Sequence, residues 1–190
     1  MIPKNILITG ANGQLGHSLN NFFKSKNYNI DNLNFNVFFT SLNDYTYPLS
    51  LISLENVSKL INEINPDYII NCAALTNVDF CEENKKESYE VNVKIVKNII
   101  SSMSIKSKLI HISTDYIFDG EKPFYKEEDT PNPINYYGKT KLEAENIIRS
   151  SNRNYIIIRT GSLFSEFIEI NSNKLCWLLN KFQNKQKIFS

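Results

Sequence analysis

Metal-binding and crosslinking residues are scarce in this chain of 190 residues, which holds two histidines and three cysteines. Cys72, Cys81 and Cys176 are odd in number and form no CxxC pair, a pattern that excludes a disulfide framework and a cysteine zinc site. His17 falls in a first helix and His111 inside a strand, so both read as structural and no Ser-His-Asp arrangement presents itself. Long apolar runs are missing too. Nothing approaches the roughly 18 residues of a membrane span, and the first strand opens without a signal-peptide pattern, so the expected setting is cytoplasmic, with no membrane partner. Charge of one sign is not in excess: the net charge is +1, and the interspersed charges leave no basic stripe for nucleic acid. What remains is a chain with 42% hydrophobic residues, enough for the core of one globular domain. Its abundant Asn, Lys and Ile read as compositional bias, because apolar periodicity persists throughout.

Glycine is equally sparse, and its placement is informative. Of six glycines, Gly10, Gly13 and Gly16 fall in one short stretch directly after the apolar run Lys4 to Thr9. Strand, glycine turn and helix in that order suit a dinucleotide. Gly10 would allow the tight turn, Gly13 would let the backbone approach a pyrophosphate, and Gly16 would let the following helix pack on the strand. The free N–H groups of that helix favour a phosphate. The spacing is GxxGxxG rather than GxGxxG.

Strands and helices then alternate. A helix from about Gly13 to Lys26 is followed by a strand over residues 35–40 and a short third strand over Leu49–Ile52. Ser53 is positioned to cap a helix from Glu55 to Ile64, which ends before Pro66. Residues 67–73 read as a buried strand, 82–102 as one long helix, and 108–113 and 155–159 as further strands. Right-handed crossovers between such strands build a parallel sheet. The fold class is α/β, a doubly wound, Rossmann-like parallel sheet. Gly120 to Asn135, with three prolines and the Lys126-Glu127-Glu128-Asp129 cluster, reads as a surface loop whose carboxylates are solvated; no metal is expected. Trp177 and an amphipathic segment near Leu175–Phe182 read as packing.

Ligands of such sheets lie beyond the carboxyl ends of the strands. Four groups emerge there: the glycine loop, Cys72 to Thr76, Ser113 to Tyr116, and the helix carrying Tyr137 and Lys141. Four residues apart, Tyr137 and Lys141 share a helix face, so the ammonium can bias the phenol toward phenolate. A phenol ordinarily titrates near ~10, and such a bias makes it a usable acid or base. Tyr136 has no Lys four residues on and reads as packing.

These residues carry a family resemblance. The segments Ile6 to Gly16, Pro66 to Ala74, Ser113 to Gly120 and Tyr136 to Glu145 resemble, in order and separation, the extended short-chain dehydrogenase/reductases, in particular the dTDP-4-dehydrorhamnose reductases. The resemblance implies that Thr114 holds a substrate carbonyl, that Tyr137 donates the proton, and that Lys141 binds the nicotinamide ribose and lowers the Tyr pKa. It implies Asp115 as a sugar contact, and Asn92 matches the helix Asn of the family. The implied cofactor is NADPH or NADH, held by Gly10, Asn12, Gly13, Gln14, Leu15, Gly16, Ala73, Ala74 and Leu75 together with Tyr137 and Lys141. The implied partner is a nucleotide-sugar substrate, with a homodimer allowed. The regulatory subunit of methionine adenosyltransferase resembles the same reductases, so cofactor binding without turnover is the alternative.

Departures from the family pattern sharpen these expectations. The second strand ends at Phe39-Thr40-Ser41, with neither an acid for a ribose 2′-hydroxyl nor an Arg for a 2′-phosphate, so NAD and NADP are not separated. Ser50 stands where relatives carry Asp, and Ser162 where the reductases place an aromatic against the substrate. The sequence given ends at Ser190, ahead of the part that closes over the sugar nucleotide in the family. Residues 1–190 are therefore expected to be one NAD(P)-binding unit, either a fragment or a shortened gene product.

Overall fold

In the computed structural model, residues 3–24, 35–42 and 47–163 are described. Six parallel strands form a sheet in the order β3-β2-β1-β4-β5-β6: β1 Lys4–Thr9, β2 Phe35–Ser41, β3 Tyr47–Pro48, β4 Tyr68–Asn71, β5 Lys108–Thr114 and β6 Asn154–Thr160. The chain starts at the centre, winds outward to β3, then crosses back to β4 and winds the other way. This is the expected doubly wound topology, and its order reverses between β1 and β4, where a crevice opens at the strand ends.

Alternation along each strand divides the core in two. Leu7, Ile69 and Leu109 face one side, where α2 (Leu54–Ile64), α5 (Ile95–Ser102) and α6 (Tyr136–Ser150) cover them with Leu60, Ile61, Val96, Ile99, Ala144 and Ile148. Ile6, Ile8 and Phe39 face the other side, with Leu19 and Phe23 of α1 (Gln14–Lys24) packed on them. Among the described residues no helix is long and apolar enough to cross a membrane.

Two expected elements differ. The third strand is the two residues Tyr47 and Pro48, and Leu49–Ile52 is not strand. Leu49 N still donates to Ser41 O at 3.0 Å, but the chain then turns, and the Leu51 and Ile52 carbonyls accept from Asn98 Nδ2 at 2.9 and 3.0 Å. An amide on α5 thus takes the acceptors that a neighbouring strand would have used. The turn also sets Ser53 as the N-cap of α2, accepting from Asn56 N at 3.3 Å. The long helix expected over 82–102 is broken. It consists of α3 (Val78–Glu83), α4 (Lys85–Tyr89), one π turn over Glu90–Lys94, and α5. Asn84, at φ −118° and ψ 56°, interrupts it, and its side chain donates to Phe80 O at 3.1 Å. The π turn carries Asn92, and such bulges recur at functional sites.

Leu109→Ala is expected to destabilise the fold by about 2–5 kcal/mol through the cavity it leaves. Ser53→Ala is expected to cost about 1 kcal/mol through the lost cap. Urea unfolding monitored by circular dichroism measures both, and equal costs would contradict this division of the core.

Candidate active site

The glycine loop leaves β1 where the sheet order reverses. Gly10 has φ +67°, and a Cβ there would lie 2.6 Å from Ala73 N, so the turn has no room for a side chain. Gly16 lets α1 close on this loop, since a Cβ would meet Gly10 O at 2.3 Å. Gly13 N donates to Gly10 O at 2.9 Å, leaving Gln14, Leu15 and Gly16 to open α1 with their N–H groups outward. Asn12 is exposed beside them. Gln14 Nε2 is buried without a hydrogen-bond partner among the described residues. An orphaned buried donor costs about 1–3 kcal/mol, so an acceptor supplied by a ligand would relieve it. A glycine cradle, a helix N-terminus and an unmet amide donor fit a dinucleotide pyrophosphate.

Beyond β4, Ala73 and Ala74 pass close to this loop, and Leu75 is clamped. Asn92 Oδ1 accepts from Leu75 N at 2.8 Å while its Nδ2 donates to Leu75 O and to Thr140 Oγ1, both at 3.0 Å. The π turn aims this amide inward, and α6 is thereby tied to the β4 loop.

The end of β5 enters a short 3-10 turn, Asp115–Ile117, capped by Thr114 Oγ1, which accepts from Tyr116 N at 3.2 Å and donates to Asp115 Oδ1 at 3.1 Å. Helix α6 begins at the cap Asn135, whose Oδ1 accepts from Gly138 N at 2.8 Å. Gly138 seats the helix directly on the 3-10 turn, because a Cβ there would lie 2.1 Å from Tyr116 O. The Tyr116 and Tyr137 rings meet edge to face, 5.8 Å apart. Tyr136 points elsewhere, under Lys85 Nζ at 5.5 Å from its ring centre.

Deeper in α6, Glu145 is fully buried. Its carboxylate accepts from Ser113 Oγ at 2.6 Å, from Arg159 Nε and Nη2 at 3.0 and 2.7 Å, and from Arg149 Nη2 at 3.4 Å. These partners hold its pKa below the usual carboxylate value against the opposing effect of burial. Arg159 Nη1 donates to the backbone carbonyl of Glu127 at 3.1 Å and the Asp129 carboxylate pairs with Lys122 at 2.7 Å, while Glu127 and Glu128 are exposed as expected. Among the described residues no group of three metal-ligating side chains assembles.

A cleft of about 240 Å³ collects residues from all four expected groups. Gly13, Gln14 and Leu15 line one side, Ala74 and Cys72 the floor, and Thr114, Asp115, Tyr116 and Tyr137 the other side. Gly10, Asn12, Gly16, Ala73 and Leu75 shape its surroundings without lining it. Thr160 to Leu163, including Ser162, also line the cleft. Lys141 lies beneath it, 2% exposed, with Nζ donating to Ile112 O at 2.7 Å and 3.3 Å from His111 Nε2.

The expected lowering of the Tyr137 pKa by Lys141 is not found in this state. Burial pushes the Tyr137 phenol up to about 12, with the Thr114 hydroxyl opposing, and the Lys141 nitrogen donates to the strand-end carbonyl of Ile112. Burial likewise brings Lys141 down to about 8, with Glu145 opposing, and pushes Cys72 up to about 12. Tyr137 is thus a protonated acid at neutral pH, above an ammonium that is easily discharged.

Sequence reasoning did not single out Glu145 or Arg159. The available signal was an acid four residues after Lys141 and an Arg at the end of an apolar strand, both unusual at buried positions.

Gly138→Ala is expected to unseat α6 and to destabilise the protein by about 1–3 kcal/mol by overpacking. Arg159→Met, which leaves the Glu145 charge without its main partner, is expected to cost about 3–5 kcal/mol. Chemical unfolding reads both, and a neutral Arg159→Met would mean that Glu145 is not held as a buried ion.

Comparison with known proteins agrees with this geometry. Residues 4–189 match the family described as RmlD substrate binding domain. The chain is 31% identical over 185 residues to methionine adenosyltransferase 2 subunit beta of Bos taurus, covering 97% of this chain and 54% of that protein. It is 36% identical over 164 residues to dTDP-4-dehydrorhamnose reductase of Aggregatibacter actinomycetemcomitans, covering 85% and 52%. A dTDP-4-dehydrorhamnose reductase from Bacillus anthracis, solved in complex with NADP, superposes with a TM-score of 0.80 at 30% identity, covering 98% of this chain and 62% of that one. The chain spans about half the length of the curated relatives it matches. With a match over residues 4–189 and the expected fold, the chain belongs to the RmlD substrate binding domain family, alongside the dTDP-4-dehydrorhamnose reductases.

Proposed function

We propose that this chain carries the cofactor and proton-transfer half of a reductase for a nucleotide-linked 4-keto-6-deoxy sugar of the dTDP-4-dehydrorhamnose type. The observation that carries this reading is the convergence of the glycine loop, Thr114 and Tyr137 on one cleft. A nicotinamide cofactor, NADPH or NADH, would be held by the Gly10 to Gly16 loop and the Ala73 to Leu75 segment, and when bound it supplies the hydride.

The remaining chemistry belongs to the residues. The Thr114 hydroxyl orients the carbonyl oxygen, and Tyr137, protonated because burial raises it to about 12, gives its proton to that oxygen as negative charge develops. The charged Lys141 would stabilise the phenolate left behind by turning its ammonium from the Ile112 carbonyl toward the phenol oxygen, an interaction strengthened by the surrounding low dielectric. Asp115, beside Thr114 at the cleft wall, contacts the sugar. The setting proposed is cytoplasmic, and a homodimer is compatible with this reading.

One observation favours a second reading. The curated relatives include methionine adenosyltransferase 2 subunit beta at comparable identity. On that reading the cleft binds the cofactor as part of an assembly and turns nothing over.

Oxidation of NADPH or NADH on addition of a dTDP-4-keto-6-deoxy sugar separates the two. Tyr137→Phe is expected to lower kcat by roughly 100- to 10,000-fold while leaving cofactor binding intact. Because the reactive form needs Lys141 charged, the rate is expected to fall as pH rises through about 8. Cofactor binding with no turnover at any pH supports the assembly reading, and turnover unaffected by Tyr137→Phe contradicts the proton-donor role.

A further inference from the structure

The alternation that buries Leu7, Ile69 and Leu109 side by side continues two residues on with Thr9, Asn71 and His111. They pair in register across β1, β4 and β5 on the same face. An apolar row is therefore followed, at the carboxyl edge, by a polar one whose members are at most 1% exposed. Its side chains run in single file. Thr9 Oγ1 lies 2.6 Å from Asn71 Oδ1, Asn71 Nδ2 lies 3.1 Å from His111 Nδ1, and His111 Nε2 lies 3.3 Å from Lys141 Nζ. None of these three strand residues lines the cleft, and the proposed proton transfer does not use them. Buried polar groups persist only when fully paired, so the row needs a reason to replace apolar packing.

Donor and acceptor counts allow such a file one direction when Lys141 is charged and admit a second when it is neutral. An ammonium donates and cannot accept, while a neutral imidazole has one donor and one acceptor. With Lys141 charged, Nζ donates to His111 Nε2, the imidazole proton sits on Nδ1 and donates to the Asn71 carbonyl oxygen, and the Asn71 NH₂ donates to Thr9. With Lys141 neutral its nitrogen also offers a lone pair, and the file is free to reverse. Thr9 donates to Asn71 Oδ1, Asn71 Nδ2 donates to His111 Nδ1, and the imidazole proton on Nε2 points at the amine lone pair. The second is the orientation of the Asn71 amide in this structure. The two differ at heavy-atom level only by exchange of the amide O and N.

We infer that Asn71 and His111 are positioning residues that couple the proton on Lys141 to the direction of a sealed hydrogen-bonded row reaching back to β1. Its catalytic consequence rests on the reading of Lys141 as the partner of Tyr137, whereas the row itself does not. The balance is simple. Lys141 loses one proton to solvent through the cleft, and the imidazole stays neutral, its single proton moving from Nδ1 to Nε2.

Charges around Lys141 are consistent with one switching group. Burial and the Lys141 charge hold His111 well below its ordinary value, so it stays neutral. From the segment after β4, Cys72 faces Lys141 as a thiol raised to about 12, and from its own helix Tyr137 is a phenol raised to about 12. Glu145, also on α6, is ionised and paired with Arg159 of β6, Arg149 and Ser113 of β5. Of these, Lys141 alone changes charge near pH 8.

The test is nitrogen NMR of the full chain without cofactor, in which the two histidines give separable imidazole signals and His17→Gln assigns them. The His111 tautomer is expected to cross from Nδ1–H to Nε2–H with the midpoint at which the labelled Lys141 side chain titrates. In Asn71→Leu, which removes the amide but leaves the apolar row below intact, the Lys141 midpoint is expected to move by about one pH unit, a tenfold change in acidity. A purely structural role would lower stability in that variant and leave the midpoint in place. A His111 tautomer that stays fixed in wild-type protein while Lys141 titrates overturns the inference, whether or not Asn71→Leu folds. An inactive protein with linked titrations would count against the reductase reading alone, and an active one with a fixed tautomer against this inference alone.

Discussion

A single carboxylate organises this molecule. Glu145 has no exposure to solvent, and taking such a charge out of water costs several kcal/mol unless partners replace the lost hydration. Its partners come from three elements: Arg149 from its own helix, Ser113 from β5 and Arg159 from β6. Arg159 extends the tie outward, donating to Glu127 O and lying 5.3 Å from the Phe118 ring centre. Because Ser113 precedes Thr114 and Glu145 follows Lys141 by one turn, this contact fixes α6 against the end of β5. Thr114 and Tyr137 share a cleft as a result.

Above this anchor the site is layered by simple alternation. Leu7, Ile69 and Leu109 supply an apolar floor, and Thr9, Asn71 and His111 a sealed polar row at the carboxyl edge. The cleft opens beyond them, where the sheet order reverses and the glycine loop leaves room for a phosphate. Each layer tunes the one outside it. Burial holds Tyr137 protonated and keeps Lys141 near the edge of its charged range.

What could be read from the residues alone depended on how local the cause was. The strand, Gly10 turn and α1 are set by neighbours within a few positions, as is the Ser53 cap, and these were legible. So was the gathering of Thr114 and Tyr137 near the glycine loop, because the parallel topology dictates which strand ends face the crevice. The segment Leu49–Ile52 was misread because Asn98, 46 residues from Ile52, takes its carbonyls. The break in the long helix arises from Asn84 and a π turn that serves Leu75, again a distant partner. Asn71 and Glu145 acquire meaning only through cross-strand register and helix docking, which periodicity does not encode. Helical spacing brings Lys141 near Tyr137, but it does not encode the strand-end carbonyl of Ile112, which accepts from the Lys141 nitrogen at 2.7 Å.

The proposed reduction requires a nicotinamide dinucleotide lying across the strand ends with its reactive ring beside Tyr137. A crystal structure of the protein grown with NADPH tests this most directly. The expected result is a pyrophosphate over the Gly10 to Gly13 turn, and a nicotinamide within contact distance, about 3.5–4 Å, of Tyr137. A cofactor bound away from the glycine loop, or a nicotinamide directed away from Tyr137 and Thr114, would contradict it.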